Sequence, residues 1–329
     1  MVPFLNRLDE VVRCLNAMQP QLNADTIFLL IDDGSNPVAH ASLLLQPLLR
    51  MPNVRLITHP ANSGVSAARN SGLHWCRQKG IEIAIMIDSD CTPESNLISE
   101  HLRLHHAYPE AICIGARVVG VGAGLWAKLD GITSWIHATE HGVGKDREGY
   151  ELCPVEHPYH LATTNFSVKL KQLPSREFVF EERLRTGEDC LLIRELRTRS
   201  EINSTYFSAT PVVFHQDRET FFEVFRHHYE WGHHQYFIQL GGDMSPRCFN
   251  AFYRGLFCCV FLPMLPLFAL VGALLNSRAL IANRSRQLFF FPLIYLLWLG
   301  KGVAVLEAAL RPCACLRSGR KTIEYVEFV

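Results

Sequence analysis

The sequence has no surplus of either charge. Its 32 basic and 32 acidic side chains cancel, which excludes the strongly basic surface that a nucleic-acid binder needs to neutralise phosphates. No nucleic-acid partner is expected. Paired CxxC motifs are also missing. The 11 cysteines are scattered, among them Cys14, Cys76, Cys91, Cys113, Cys153 and Cys190. That argues against zinc-site spacing and fits a reducing, cytoplasmic setting for the main domain. No GxGxxG follows the first strand-like run and no GxxxxGK[ST] is found, so a Rossmann dinucleotide site and a P-loop are disfavoured. The first twenty residues carry Arg7, Asp9, Glu10 and Arg13 where a secretory signal would have an apolar run. There is no internal repeat and no low-complexity segment.

Long apolar runs are absent until about residue 251, where the composition changes sharply. Gly255–Leu275 and Leu288–Leu310 are each about 20 residues long, the length a helix needs to cross the hydrocarbon core. Pro263 and Pro266 are expected to kink the first. Lys301 and Glu307 weaken the second, unless they lie near its end and snorkel. The alternative to spanning is a helical hairpin lying on the bilayer. The loop between the segments carries Arg278, Arg284 and Arg286, the flanks Arg247, Arg254, Arg311, Arg317, Arg320 and Lys321. The flanks outnumber the loop, which puts the main domain and the C-terminus on the cytoplasmic side.

Before residue 251, strand-like runs alternate with helical ones. Thr26–Ile31, Val54–Thr58 and Ile81–Ile87 are short apolar runs of buried-strand type. Leu8–Met18 has helical spacing at Leu8, Val11, Val12 and Leu15, and Ser66–Lys79 reads as a helix stopped by Gly80. Val2-Pro3 reads as the tail of a first strand. Helices between buried strands imply a mostly parallel sheet covered on both faces, and ligands of such sheets bind beyond the carboxyl ends of the strands.

Two acidic clusters stand at those ends. Asp88-Ser89-Asp90 places two carboxylates two residues apart, on one side of an extended backbone. Carboxylate oxygens suit Mg²⁺ or Mn²⁺, ions that share their coordination with substrate phosphates; the alternative is a solvated acidic turn. Asp32-Asp33-Gly34-Ser35 offers a carboxylate to a uracil N–H or a ribose hydroxyl, or else an Asx-turn that caps a helix. In Ser63–Asn70, small residues open a helix and Arg69 sits a turn inside, able to meet a phosphate or carboxylate. Gly187-Glu188-Asp189 precedes a helical stretch; Asp189 there is a general base if it faces an acceptor hydroxyl, and otherwise an N-cap. His215, after the strand-like Pro211–Phe214, could add an imidazole to a metal shell, although a lone His is more often structural. The run Arg226–His234 is rich in histidine but has no HExxH; it reads as an amphipathic helix near the site or a bilayer.

Together these segments resemble the family 2 glycosyltransferases, of GT-A fold, over Val2 to His234. The family's P-x-x-N matches Pro3 to Asn6, its DDGS matches Asp32 to Ser35, and its N-x-G-x-S-x-A-R-N matches Asn62 to Asn70. Its D-x-D is Asp88-Ser89-Asp90, its T-x-N-F corresponds to Thr164-Asn165-Phe166 with one variable place, and its G-E-D is Gly187-Glu188-Asp189. The resemblance implies that Pro3, Asp33 and Arg69 line the nucleotide pocket with Asp32 near it. It implies that Asp88 lies by the ribose and metal, and that Asp90 ligates the metal; with His215 from the reading above, the expected metal residues are Asp90, Asp88 and His215. Asn165 and Glu188 fall in the acceptor region. Asp189 takes the proton of the acceptor hydroxyl, which attacks the anomeric carbon with inversion. The donor is a nucleotide-diphosphate sugar, expected to be a UDP-sugar, with Mn²⁺ or Mg²⁺ as cofactor. The Q-x-x-R-W segment of processive synthases has only His227–Trp231 as counterpart, so single-sugar transfer is expected.

The expected architecture is an α/β GT-A domain over residues 1–245, followed over 246–329 by a C-terminal α-helical membrane hairpin. The acceptor is expected to be a saccharide, lipid-linked or of the cell envelope, and the protein membrane-associated. Two alternatives stand beside this reading: sugar nucleotidyl transfer, whose Gly-rich basic signature Met1–Arg13 does not show, and a degenerate membrane-bound saccharide-binding protein.

Overall fold

The computed structural model describes residues 1–37, 39, 42–135, 151–155, 161–199, 204–240, 251–283 and 289–328. The expected boundary at residue 245, with Arg247, Arg284 and Arg286, lies outside the described residues. Along the chain run β1 (Val2–Phe4), α1 (Leu8–Met18), β2 (Phe28–Asp32), a short α2 (Gln46–Leu49), β3 (Val54–Thr58), α3 (Val65–Gln78), β4 (Ile83–Ile87), β5 (Cys91–Pro93) and α4 (Leu97–Ala107). Then come β6 (Cys113–Val121), α5 (Leu125–Ser134), β7 (Cys153–Pro154), β8 (Asn165–Lys169), α6 (Glu188–Arg199), β9 (Thr205–Gln216) and α7 (Phe221–Ile238). The last part holds α8 (Ala251–Asn283), α9 (Phe291–Leu310), α10 (Pro312–Cys315) and β10 (Val326–Phe328).

β2 shows why the apolar runs had to be uninterrupted. Its Leu29 and Ile31 pack with Leu73, Trp75 and Cys76 of α3 on one face. Its Phe28 and Leu30 pack with Val11, Cys14 and Leu15 of α1 on the other. A strand covered on both faces alternates between two cores and has no polar side. α1 answers with apolar residues spaced three and four apart, and burying one such side chain contributes about 2 kcal/mol.

The strands are ordered β1-β2-β3-β10 and β4-β8-β6-β9-β5, with β7 on β9. Met1 joins the two runs: its amino group donates to the Ile85 carbonyl at 2.8 Å, and its own carbonyl accepts from Ile87 N at 3.1 Å. Pairing is parallel between β1 and β2, β2 and β3, and β6 and β9. It is antiparallel between β4 and β8, β6 and β8, β5 and β9, and β3 and β10. The sheet is therefore mixed where the sequence pattern implied a mostly parallel one. Of the strands visible in the sequence, β1, β2 and β3 pair in parallel, whereas β4 pairs antiparallel with β8; β5, β8 and β10 reach their partners without a strand–helix–strand alternation to announce them.

The helices α7, α8 and α9 form a second body against the sheet. α9 lies between the other two: Val224 of α7 clusters with Ile294 and Leu297 of α9 and Ala273 of α8. α8 faces outward, with 17% of its most apolar stretch buried against 50% for α9. Val260, Leu262, Val271, Leu274 and Leu275 of α8 are exposed, and the helix runs unbroken past Pro263 and Pro266. Both helices are long and apolar enough to cross a membrane. The charges of α9 do not snorkel from its end. Lys301 is buried near mid-helix, between the rings of Trp231 and Trp298. Glu307 accepts hydrogen bonds from Tyr229 Oη and His233 Nε2, each at 2.8 Å. Their partners sit mainly on α7, which the apolar pattern of α9 alone could not show. After α10 the chain returns to the sheet, where β10 pairs with β3.

Candidate active site

An open cavity of about 590 Å³ lies between the strand ends and the helical body. Pro3, Asp33, Arg69, Asp88, Asp90, Glu188, Asp189 and His215 all line it. Asp32 and Asn165 do not.

Asp33 organises the loop before α3. Its carboxylate accepts from Ser63 N at 2.9 Å, Gly64 N at 2.8 Å and His59 Nδ1 at 2.8 Å. Gly64 has φ +97°, a conformation that disfavours any side chain, and Arg317 from beyond α10 fills the space where its Cβ would stand. Arg317 also donates to Asn62 Oδ1 at 3.2 Å. The C-terminal tail thus closes one wall of the cavity, while Arg320 ties that tail to Glu182, Ser71 and Ala67 O. Asp32 is spent on the turn itself: it accepts from Ser35 N at 2.9 Å and Ala39 N at 3.4 Å and is fully buried. It takes the turn-capping alternative, because the peptide groups of a tight turn after a buried strand need an acceptor.

Arg69 holds the acidic elements together. Its guanidinium donates to Asp88 Oδ1 at 2.8 Å and to Glu188 Oε1. Burial pushes the Glu188 carboxyl up, and the neighbouring Asp189 and Asp88 add to this while Arg69 opposes it. The next residue, Asn70, accepts from Val179 N and Phe180 N and donates to Phe180 O and Glu182 Oε1. One turn of α3 thereby positions both Asp88 and the segment that leads into α6. That segment ends at Gly187, φ +81°, where a Cβ would meet the His234 ring at 2.6 Å. α6 then starts at Glu188, and Asp189 lies in its first turn, accepting from Cys190 N at 2.7 Å.

Asp90 and His215 form a pair. His215 Nε2 lies 3.4 Å from Asp90 Oδ1, and its Nδ1 lies 3.1 Å from Asp217 Oδ1. Trp135 packs edge-on against the imidazole and donates from Nε1 to the same Asp217 oxygen. Room for this carboxylate comes from Gly120 and Gly131, where a Cβ would fall 2.0 and 2.5 Å from Asp217 Oδ2. Asp90 Oδ2 accepts from Arg7 at 2.8 Å. Burial raises the Asp90 carboxyl, but His215, Arg7 and Arg218 outweigh it and bring it to about 2. For His215 burial works downward, and Asp217 with Asp90 overrides it, raising the imidazole to about 9.

The residues present fit a divalent cation at Asp90. Asp90 Oδ1 is buried without a hydrogen-bond partner, beside an imidazole oriented by an outer carboxylate, an arrangement usual for metal-binding histidines. Carboxylate and imidazole together suit Mn²⁺, and carboxylate with phosphate oxygens suits Mg²⁺. Asp88 fits less well, since its oxygens already accept from Arg69 and from Thr164 Oγ1 at 2.7 Å.

Asn165 is fully buried behind the site. Its amide donates to Arg117 O and Pro211 O, and its Oδ1 meets His101 Nε2 at 2.9 Å. It joins strands; the neighbouring Thr163 and Thr164 reach the cavity instead. Residues of the cavity that the sequence did not mark include Arg7, Trp135, Arg317, Trp298 and Lys301, with Asp217 behind His215; His227, Trp231 and His234, from the run read as a helix near the site or a bilayer, complete the helical wall. Burial, then Arg218 and Lys301, hold His227 well below the usual imidazole range.

Residues 1–160 match the family model for glycosyl transferase family 2. The N-terminal half of the chain belongs to that family. The fold is similar to that of a crystal structure of S. aureus TarS 1-349, at 14% identity over 94% of this chain and 90% of that one, with a TM-score of 0.50. A structure of GalNAc-T7 with UDP, GalNAc and Mn²⁺ aligns at 16% identity over 66% of this chain and 42% of that one, TM-score 0.48. No curated protein matches the sequence. The expected GT-A architecture is the one found, and the family 2 enzyme acts on a nucleotide-sugar donor and a saccharide acceptor.

Proposed function

We propose that this family 2 glycosyltransferase moves one sugar from a nucleoside-diphosphate sugar, a UDP-sugar by expectation, to a hydroxyl of a lipid-linked or cell-envelope saccharide, with inversion. The observation that carries the reading is the meeting of Asp33, Asp88, Asp90 and Asp189 around a single cavity, with Arg69 bonded to Asp88 and to the residue before Asp189. On this reading Pro3, Asp33, Arg69 and Arg317, which line the cavity, hold the nucleotide. Asp88 orients Arg69 beside the ribose. A Mn²⁺ or Mg²⁺ ion held by Asp90 and His215 would neutralise charge growing on the departing diphosphate. Asp189 accepts the proton of the acceptor hydroxyl as that oxygen bonds to the anomeric carbon. The bond from that carbon to the diphosphate breaks, and its electron pair leaves with the nucleotide.

The membrane part of the reading rests on α8, whose exposed apolar length has no protein cover among the described residues. Residues 1–245 are assigned to the transferase domain and 246–329 to the membrane-associated segment, apart from the tail that rejoins the sheet at β10. That return puts the C-terminus and the transferase domain on one side of the hairpin, the cytoplasmic side by the flanking charges. Replacing Asp189→Asn tests the chemistry: nucleotide binding should persist while transfer falls about 10²–10⁴-fold. Unchanged turnover would remove Asp189 from the base role.

A further inference from the structure

Away from the donor cavity, three metal-ligating side chains meet where α7, α9 and α10 come together. On α7, Tyr229 and His233 stand four residues apart, so both project from one face. That face meets the end of α9, where Glu307 accepts from Tyr229 Oη and His233 Nε2, each at 2.8 Å. Pro312 then opens α10, a place where its missing N–H costs nothing. This short helix brings Cys315 back, buried in one cluster with Val305 and Ala308 of α9 and Tyr236 of α7. One ligand atom from each of His233, Glu307 and Cys315 lies within 4.8 Å of the other two. None of the three lines the donor cavity.

The chemistry of the group suits a cation. Cys315 has no disulfide partner, so its sulfur is free to ligate. His233 Nδ1 is buried without a hydrogen-bond partner, and a buried polar atom in that state calls for a water or an ion nearby. The Glu307 side chain is 38% exposed, which gives an ion a way in. Thiolate and imidazole select Zn²⁺ over the Mg²⁺ or Mn²⁺ suited to Asp90. Around a tetrahedral Zn²⁺ the ligand atoms stand about 3.3–3.8 Å apart. The hydrogen-bonded pair then opens and the thiol closes by about 1 Å or less, within reach of side-chain rotation.

We propose that His233, Glu307 and Cys315 form a zinc site, separate from the donor site, that clamps the end of α9 and α10 to α7. Binding takes the Cys315 thiol to thiolate and releases its proton to solvent. Thiolate and the Glu307 carboxylate then balance the two charges of the ion, and water takes the fourth position. Cysteine spacing in the sequence does not announce such a site, because its ligands come from three helices. Arg317 follows Cys315 by two residues, so the clamp holds the chain just before it reaches the loop at Gly64.

The test strips the full chain in detergent of metal and titrates it with Co²⁺, whose spectrum reports its ligands, and then with Zn²⁺. Co²⁺ should give a thiolate-to-metal charge-transfer band with the visible bands of a four-coordinate ion, and Zn²⁺ should erase both. The charge-transfer band should vanish in Cys315→Ser, and Co²⁺ affinity should fall at least about tenfold in His233→Gln. Both should persist in Asp90→Ala, which removes the donor-site carboxylate, and in Cys313→Ser, which removes the exposed thiol nearby. Circular dichroism checks that each variant is folded; if Cys315→Ser is not, wild type and His233→Gln decide. No charge-transfer band in wild type, an undiminished band in folded Cys315→Ser, or unchanged affinity in His233→Gln would overturn the site. Loss of the bands in Asp90→Ala would move the ion to the donor cavity and overturn it equally.

Discussion

On the sheet side of the cavity, Asp33, Asp88, Asp90, Glu188 and Asp189 converge from strand ends and a helix start. On the helical side, α7 and α9 present His227, His234 and Lys301 with Trp231 and Trp298, and no carboxylate among the described lining residues. The first wall is polar and internally paired, each acid held by a named donor such as Arg69, Arg7 or a loop N–H. The second is aromatic, and its lysine lies against the rings of Trp231 and Trp298. The difference suits a division in which the two proposed substrates meet different parts of the chain. Donor chemistry sits on the sheet, where the backbone fixes carboxylates closely. On the proposed reading, acceptor recognition falls to the helices that also carry the apolar surface.

The carboxylate wall breaks most completely at Arg69. Arg69→Met leaves Asp88 and Glu188 without their shared cation, so stability should fall by about 3–5 kcal/mol, with loss of nucleotide binding. Thermal unfolding followed beside calorimetric titration would show both; a variant as stable as wild type would mean that the acids do not depend on Arg69.

Acid should loosen the sheet behind that wall. His101 is pushed down to about 4 and His105 to about 3, in each case by burial first. Their neutral rings bond Asn165 and Ser167. A depressed folded value means that the stabilisation is complete above the free-histidine value of about 6.5 and is lost as the pH falls through about 4. For His101 this is on the order of 3 kcal/mol. Melting temperatures measured between pH 7.5 and 4.5 should drop, and drop less steeply in His101→Gln; identical slopes would acquit His101.

The smallest effect sharpens the comparison. Arg317 is the cation that the C-terminal tail lends to the sheet side. Arg317→Ala should weaken nucleoside diphosphate binding about threefold to tenfold, as loss of one exposed charged contact does, measured by calorimetric titration. Unchanged nucleotide affinity would take Arg317 out of the nucleotide wall.

Much of the sheet side was legible in the sequence, because each of its acids follows a strand end or opens a helix and the motifs keep those places in order. Asp33, Arg69, Asp88, Asp90, Glu188, Asp189 and His215 all reached the cavity. Asp32 and Asn165 show the limit: the same letters at a strand end can serve a ligand or satisfy buried peptide groups, and here they do the second. Asp217 was hidden because its role depends on two glycines far away in sequence that clear space for it. Lys301 and Arg317 were hidden for a broader reason. Both belong to segments whose pattern announces a membrane hairpin and its flank, and only the packing of α9 on α7, and of β10 on β3, carries them to the site.

The pairing of Asp90 with a divalent cation and a nucleotide is what the whole sheet side is read to do. The direct test is calorimetric titration of UDP, GDP and CDP into the full chain in detergent, with Mn²⁺, with EDTA, and in Asp90→Ala. We expect one nucleotide to bind with Mn²⁺ and to lose at least about tenfold in affinity with EDTA or in the variant. Binding of equal strength in all three conditions, or no binding by folded protein in any, would contradict it.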